Sequence, residues 1–272
     1  MTLARFSPAA RPPDFGGRYR GQVAVVTGAS AGLGAQLCRD LARAGATVVG
    51  LARSPERLAA LEAELRAHSP ASATVTCDVS DTDQLRRVLD QVAAAHGPVD
   101  LLVNNAALDP GVRLADIGED HFRRTFDVNF FAPVAATLAV LPSMTARGRG
   151  TVVNVSSDGG RLPSPGPGAY PSSKAALSAF TESASFRLAP KGVRLHVVYP
   201  AFMPTELGLG ALGRGLRQPP RMTTRSVEDV ARRILAQAGG PSLEISLSGL
   251  IDAAMVFRAL MPRAYHRLRR NW

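Results

Sequence analysis

Short apolar runs rich in valine alternate along this chain with longer stretches of helical period. The runs at 22–27, 47–51, 73–76, 99–104, 151–156 and 193–199 predict strands, with a further one at 243–247. Between them, 33–44, 55–67, 81–96, roughly 119–141, 169–188 and 227–238 predict helices. Local punctuation agrees: Gly45 ends the first helix, Pro55 occupies the first turn of the second, and Ser80 or Asp81 caps the third. Strands that are apolar at every position are buried on both faces, and crossovers of helical length join them in parallel. The expected fold is therefore α/β, a single Rossmann-type doubly wound parallel sheet with helices on both faces and ligands at the carboxyl ends of its strands. That domain is expected over 21–248, between a flexible basic arm at 1–20 and a basic amphipathic helical tail at 249–272.

Composition narrows the picture. With 46% hydrophobic residues in 272, the chain can bury a substantial core. The ends carry +3 (1–20) and +5 (258–272) of the net +10, so the body holds only +2 and nucleic acid is not an expected partner. Cys38 and Cys77 make no disulfide framework, which points to a reducing, cytoplasmic setting, and both read as small buried hydrophobes. The histidines at 68, 96, 121, 196 and 266 form no HExxH or close ligand pair, so no metal is expected. The first twenty residues lack the apolar core of a secretory leader, and no run of eighteen apolar residues predicts a membrane-spanning helix.

The chemistry begins at the first strand–helix turn, Thr27-Gly28-Ala-Ser30-Ala-Gly32-Leu33-Gly34. Glycines let backbone approach a pyrophosphate, while free amides and the helix dipole attract the anion. The G-x3-G-x-G spacing is not the generic dinucleotide fingerprint, and no Walker lysine follows, which argues against an ATPase. At the end of the second strand an acid would bind the ribose 2′-OH of NAD, whereas a cation suits the 2′-phosphate of NADP. The chain reads Gly50-Leu-Ala-Arg53-Ser54 there, so NADPH is expected over NADH.

A second constellation lies further on. Tyr170 and Lys174 are four apart on a predicted helix and share a face, and Ser157 precedes the tyrosine by thirteen residues. An ammonium beside a phenol favours phenolate, so Lys174 is expected to lower the Tyr170 pKa. Ser172 and Ser173 beside Lys174 raise a Ser-Lys hydrolase reading, which is disfavoured because neither serine lies in a G-x-S-x-G elbow. Asp158 reads as a loop carboxylate without a catalytic role, and Asn129 alone reads equally as a satisfied core amide.

Together these motifs resemble those of the classical short-chain dehydrogenase/reductase family over about 21–240. The likeness rests on Thr27–Gly34, Cys77-Asp78-Val79, Asn104-Asn105-Ala106-Ala107, Asn129, Ser157, Tyr170 with Lys174, and Pro200 through Thr205, in that order. The resemblance implies an oxidoreductase interconverting a carbonyl and a secondary alcohol with NADP(H). It implies that Asp78 and Val79 contact adenine, and that Asn105 and Ala106 line the cofactor near its ribose. Lys174 would hold the nicotinamide ribose as well as tune Tyr170, the acid/base; Pro200, Phe202 and Thr205 would hold the carboxamide. Ser157 would bind the substrate oxygen and Asn129 anchor a water in a proton relay. It also implies a homodimer or homotetramer. Two departures, Asn-Asn-Ala-Ala for Asn-Asn-Ala-Gly and Pro-Ala-Phe for Pro-Gly-Phe, each add one methyl beside the cofactor. A nucleotide-binding sensor or scaffold without turnover, or an epimerase or dehydratase of the same fold, are the alternatives.

Residues 202–226 read as a lid, and Phe202, Met203, Leu207, Leu209 and Leu212 point to an apolar ketone or aldehyde. Residues 159–168 are expected to form another wall. In the tail, Leu250, Ala254, Phe257, Met261, Ala264 and Leu268 make an apolar stripe among arginines, with Pro262 expected to kink or split it. The stripe either packs on protein, within the chain or across a subunit interface, or lies on an anionic membrane surface as a peripheral contact through 250–272.

Overall fold

The computed structural model describes residues 15–163, 166, 168–213 and 223–270. Seven strands form one sheet: β1 (Val23–Thr27), β2 (Thr47–Ala52), β3 (Ala73–Thr76), β4 (Leu101–Asn104), β5 (Gly150–Val155), β6 (Val193–Tyr199) and β7 (Glu244–Ser246). Their order is β3-β2-β1-β4-β5-β6-β7, and every pairing is parallel. The chain starts at β1, winds out to β3, then returns across β1 to build the other half. The order reverses between β1 and β4, and a ligand crevice opens at such a switch point.

The helices cover both faces. On one side lie α1 (Gly32–Arg43), α2 (Pro55–Arg66) and α9 (Val227–Gln237), whose Leu37, Leu41, Leu58, Leu61 and Ile234 share a core with Ala24, Val26 and Val48 of the sheet. On the other lie α3 (Thr82–His96), α5 (Ala132–Arg147) and α7 (Ala169–Leu188), which close over Val25, Val49, Leu102 and Val152. Ser54 and Asp81 cap α2 and α3 by accepting the Arg57 and Gln84 amides. The alternation of burial along β1, β2 and β4 is absent because both faces are covered, as their unbroken valine and leucine runs require.

Three features differ from the sequence reading, and one agrees with it. The helix expected over 119–141 is α4 (Glu119–Phe126), a π-helical turn (Asp127–Phe131) and α5, a continuous helical run to Arg147. This run meets the length and hydropathy of a membrane span, but Ala132, Ala136, Val140 and Met144 bury its inner face in the core. The wall and lid each carry a helix that lacks an apolar period: α6 (Asp158–Arg161) and α8 (Glu206–Gly213). As expected, Pro262 splits the tail, into α10 (Gly249–Leu260) and α11 (Pro262–Arg270). Finally, the arm's end is pinned. Tyr19 is buried and donates to the Leu235 carbonyl at 2.6 Å, and Arg18 donates to those of Ala236 and Ala238. Residues 1–14 lie outside the described residues.

Candidate active site

The glycine-rich turn joins β1 to α1 at the switch point, and two glycines there have a steric reason. Gly28 has φ +68°, and a Cβ on it would come within 2.8 Å of the Ala106 Cα. A Cβ on Gly34 would stand 2.2 Å from the Gly28 carbonyl oxygen. Only hydrogen fits, so the turn and the loop after β4 are drawn together. Thr27 and Asn105 tie the same two segments. The Thr27 hydroxyl accepts the Asn105 and Ala106 amides at 3.0 and 3.1 Å, and the Asn105 side-chain amide donates to the Thr27 carbonyl at 3.0 Å. Both polar groups thus build the cradle. Leu33 turns its side chain into the core, while Ser30 and Gly32 lie at the surface of the turn.

Around this cradle the other expected cofactor residues are arranged in sequence. Arg53 is exposed just past β2 and, among the described residues, has no ion pair. Asp78 is exposed after β3, accepting the Ser80 amide and hydroxyl, and Val79 is buried beside it. Pro200, Phe202 and Thr205 follow β6 and are half-buried. The Phe202 amide donates to Thr223 and its carbonyl accepts from Arg225, so the two ends of the lid are paired at its base. Thr205 packs its methyl group over Gly32, which places the lid's first residues against the turn. A glycine turn with no room for a side chain at Gly28 and Gly34, an exposed arginine just past β2 and Thr205 packed over Gly32 fit a dinucleotide phosphate. Among the described residues no group of side chains is arranged to hold a metal.

At the carboxyl end of β5 the structure brings Ser157, Tyr170 and Lys174 together. Ser157 is close enough to the Tyr170 phenol to lower its pKa, and the Lys174 Nζ lies 5.9 Å from the phenol ring centroid. Ser157 caps α6, its oxygen accepting the Gly159 amide at 3.0 Å. That leaves the hydroxyl proton free to be aimed elsewhere. Its neighbour Ser156 points the other way, with its hydroxyl donating to the Lys174 carbonyl at 2.9 Å. The strand's alternation therefore separates a serine of the site from one that holds α7.

Asn129 sits fully buried inside the π turn. Its side-chain oxygen accepts the Leu108 amide at 2.7 Å, and its nitrogen donates to the Leu108 carbonyl and the Ser173 hydroxyl. Ser173 in turn donates to the Tyr170 carbonyl at 2.8 Å. Asn129 thus fastens the loop after β4 to the first turn of α7. A π turn in this position is a departure from the regular ladder that recurs at functional sites.

The electrostatics correct one expectation. Against the expected lowering, burial pushes the Tyr170 phenol up to about 12, helped by Asp109 and Asp158 and opposed by Ser157. Burial likewise pushes the Lys174 amine down to about 7, and its Nζ donates to the Val155 carbonyl at 2.8 Å. Desolvation penalises the charged form of both groups. Tyr170 accordingly keeps its proton at neutral pH.

Asp158 is no ordinary loop carboxylate. One of its oxygens is buried without a hydrogen-bond partner, and burial raises its pKa to about 7, with Arg161 opposing and Asp252 adding to the rise. A carboxyl whose folded pKa exceeds its unfolded one contributes stability that is full below the unfolded value and is lost as pH climbs through about 7. Asp158→Asn is therefore expected to melt higher than the parent at pH 8 and alike at pH 4. Parallel thermal melts at the two pH values check this, and an unchanged difference between them would contradict it. Sequence reasoning missed this group and Arg161, whose partners lie more than eighty residues away; the buried position is a property of packing.

A family model for short chain dehydrogenases matches residues 22–210. A short chain dehydrogenase of Pseudocercospora fijiensis is 40% identical over 203 residues, or 74% of this chain, which spans 66% of that protein. Among solved structures, a short-chain dehydrogenase from Streptomyces avermitilis superposes with a TM-score of 0.77 at 30% identity, covering 92% of this chain and 98% of its own. A metagenomic short-chain oxidoreductase in complex with NADP superposes with a TM-score of 0.70 at 33% identity, covering 85% and 96%.

Proposed function

The chain belongs to the short-chain dehydrogenase/reductase family of oxidoreductases, and from that premise we propose that it reduces an apolar ketone or aldehyde to the alcohol with NADPH. The observation that carries this reading is the meeting of Ser157, Tyr170 and Lys174 at the carboxyl end of β5, beside a glycine-lined cradle that ends in Arg53. The cradle amides between Gly28 and Gly34 would take the pyrophosphate, Arg53 the 2′-phosphate, Asp78 and Val79 the adenine, and Pro200, Phe202 and Thr205 the nicotinamide end.

When bound, the reduced nicotinamide supplies a hydride. The chain's own groups manage the oxygen. Ser157 donates its free hydroxyl proton to the carbonyl oxygen, and one well-placed donor to a developing oxyanion is worth about 3 kcal/mol. Tyr170 delivers the phenolic proton to that same oxygen. Its raised pKa keeps the proton on the phenol at neutral pH, the form that a reduction requires, and makes it a weaker acid than a free phenol. Lys174 and Asn129 hold the helix and loop that fix this geometry, and Asn129 is the anchor for proton resupply. Phe202 and Met203, half-buried at the lid base, and exposed Leu207 and Leu209 supply an apolar wall.

Removing the free cation tests cofactor choice. Arg53→Ala is expected to weaken NADPH binding roughly tenfold to a hundredfold while NADH binding stays the same, since a charge-assisted phosphate contact is lost. Nicotinamide fluorescence titrations check it, and equal losses for both nucleotides would contradict the assignment.

The same reading makes the protein a cytoplasmic homo-oligomer with peripheral membrane contact. Exposed Phe131, Leu138 and Phe186 on the α5 and α7 side support association. Exposed Leu250, Val256, Leu260, Met261 and Leu268, together with Arg263 and Arg267, support contact of the tail with anionic lipid. Sedimentation as a monomer would contradict the first. The second fails if the full chain does not float with phosphatidylserine vesicles, or floats equally without 250–272.

A further inference from the structure

The four residues after Ser157 are held from two sides. On one, Gly160 lies against the α7 backbone, where an added Cβ would stand 3.0 Å from the Lys174 carbonyl carbon and the Ala175 nitrogen. On the other, Arg161 reaches into the C-terminal part of the chain. Its side chain is only 12% exposed. Nη2 lies 2.8 Å from the Asp252 Oδ1 of α10, and Nη1 donates to the Ser246 hydroxyl of β7 at 3.0 Å. The Ser246 hydroxyl in turn donates a hydrogen bond to the Asp252 Oδ1 at 2.7 Å, and the guanidinium carbon stands 4.2 Å above the Tyr199 ring of β6. Arg258, a turn and a half along α10 from Asp252, donates to the Arg161 carbonyl at 2.7 Å. Both the side chain and the backbone of Arg161 are thus gripped by one helix.

This differs from an ordinary surface ion pair. The arginine is desolvated, so its permanent charge needs the counter-charge of Asp252, and the hydroxyl of Ser246 bridges the two. The tether to Ser157 is short: the Ser157 oxygen accepts the Gly159 amide, and Gly159 is two residues from Arg161. A shift of α10 has no slack in which to be absorbed before it reaches the serine.

We propose that Arg161 and Asp252 are positioning residues for Ser157, through which α10 holds the serine hydroxyl against Tyr170. The inference rests on the reading of Ser157 as the donor to the substrate oxygen. It makes α10 a part of the catalytic wall, although no residue of it is one of the Ser157, Tyr170 and Lys174 set.

The test uses the full chain carrying Asp252→Asn, Asp252→Glu or Ser246→Ala, the last being the mildest change to the network. Three experiments are run: steady-state kinetics (kcat and KM) for reduction of an apolar aldehyde, NADPH affinity by fluorescence, and amide hydrogen exchange across 157–162. A misplacement near 1 Å costs about 10²-fold, so Asp252→Asn is expected to lower kcat by about tenfold to a hundredfold. NADPH affinity stays within twofold, and exchange at 157–162 accelerates while β1 and α1 remain protected. Asp252→Glu recovers most of the rate, and Ser246→Ala shifts kcat and exchange in the same direction by less. Parental kcat in Asp252→Asn, unchanged exchange at 157–162, or acceleration across the whole chain with loss of NADPH binding would each overturn the proposal. If the parent itself turns over no carbonyl compound, the functional reading fails, while the exchange measurement still decides whether α10 holds the Ser157 segment.

Discussion

Tyr170→Phe is expected to lower carbonyl reduction by about 10²–10⁴-fold, the usual contribution of a positioned acid, and to leave NADPH binding intact. The ring keeps its place because α7 is held independently of the phenol: Ser156 donates to the Lys174 carbonyl, and Asn129 reaches the first turn through Ser173. What disappears is the one hydroxyl that shares the Ser157 contact and holds its proton to about pH 12. Ser157 still stabilises the oxygen, so a residual rate remains. Parent and variant are compared by NADPH consumption with a panel of apolar aldehydes and ketones, alongside fluorescence titration. Undiminished turnover would remove Tyr170 from the chemistry.

The second large effect is expected at the cradle. In Gly34→Ala the new methyl would stand 2.2 Å from the Gly28 carbonyl oxygen and 2.6 Å from the Asn105 side-chain amide. Neither neighbour can yield easily, because Asn105 is bonded to Thr27 and Gly28 lies against Ala106. Overpacking of this kind costs about 3 kcal/mol. If that strain opens the turn, NADPH affinity falls roughly a hundredfold. Titration of the variant reads the affinity and a thermal melt reads the strain. Parental affinity with a parental melt would mean that the turn is looser than its contacts indicate. Arg53→Ala, by contrast, should affect NADPH and leave the melt alone.

The parallel sheet was legible because its central strands β1, β2 and β4 are nearly unbroken apolar runs and stretches of helical length separate them. The helix at Ala169–Leu188 and the strand at Val193–Tyr199 begin and end where the pattern predicts. The segments of weak period were not legible. In α8, Gly208, Gly210 and Gly213 interrupt any apolar stripe, and α6 is a single turn set by the Ser157 cap. The π turn has no local mark either; it arises where Asn129 reaches the loop after β4.

The site shows the same division. Spacing alone brings Tyr170 and Lys174 onto one helix face, and the structure adds Ser157 from the end of β5. The direction of the tyrosine's pKa was not legible, because adjacency in a helix reports a charge and not the burial of both groups. Arg161 carries no local signal at all. Its partners Ser246, Asp252 and Arg258 come from the far end of the chain, joined to it only once β7 closes the sheet beside β6.

The most direct test of the account is the fate of the hydride. NADPH carrying deuterium at the reactive position is incubated with the full-length protein and an apolar aldehyde, and the alcohol is examined by mass spectrometry. The account predicts an alcohol one mass unit heavier, formed in step with NADPH loss and suppressed in Tyr170→Phe. A product at the oxidation level of its substrate, with the deuterium still on the nucleotide, would contradict it and leave an epimerase or dehydratase on the same fold. Tight NADPH binding without transfer to any carbonyl would contradict it equally, in favour of a nucleotide-binding protein that does not turn over.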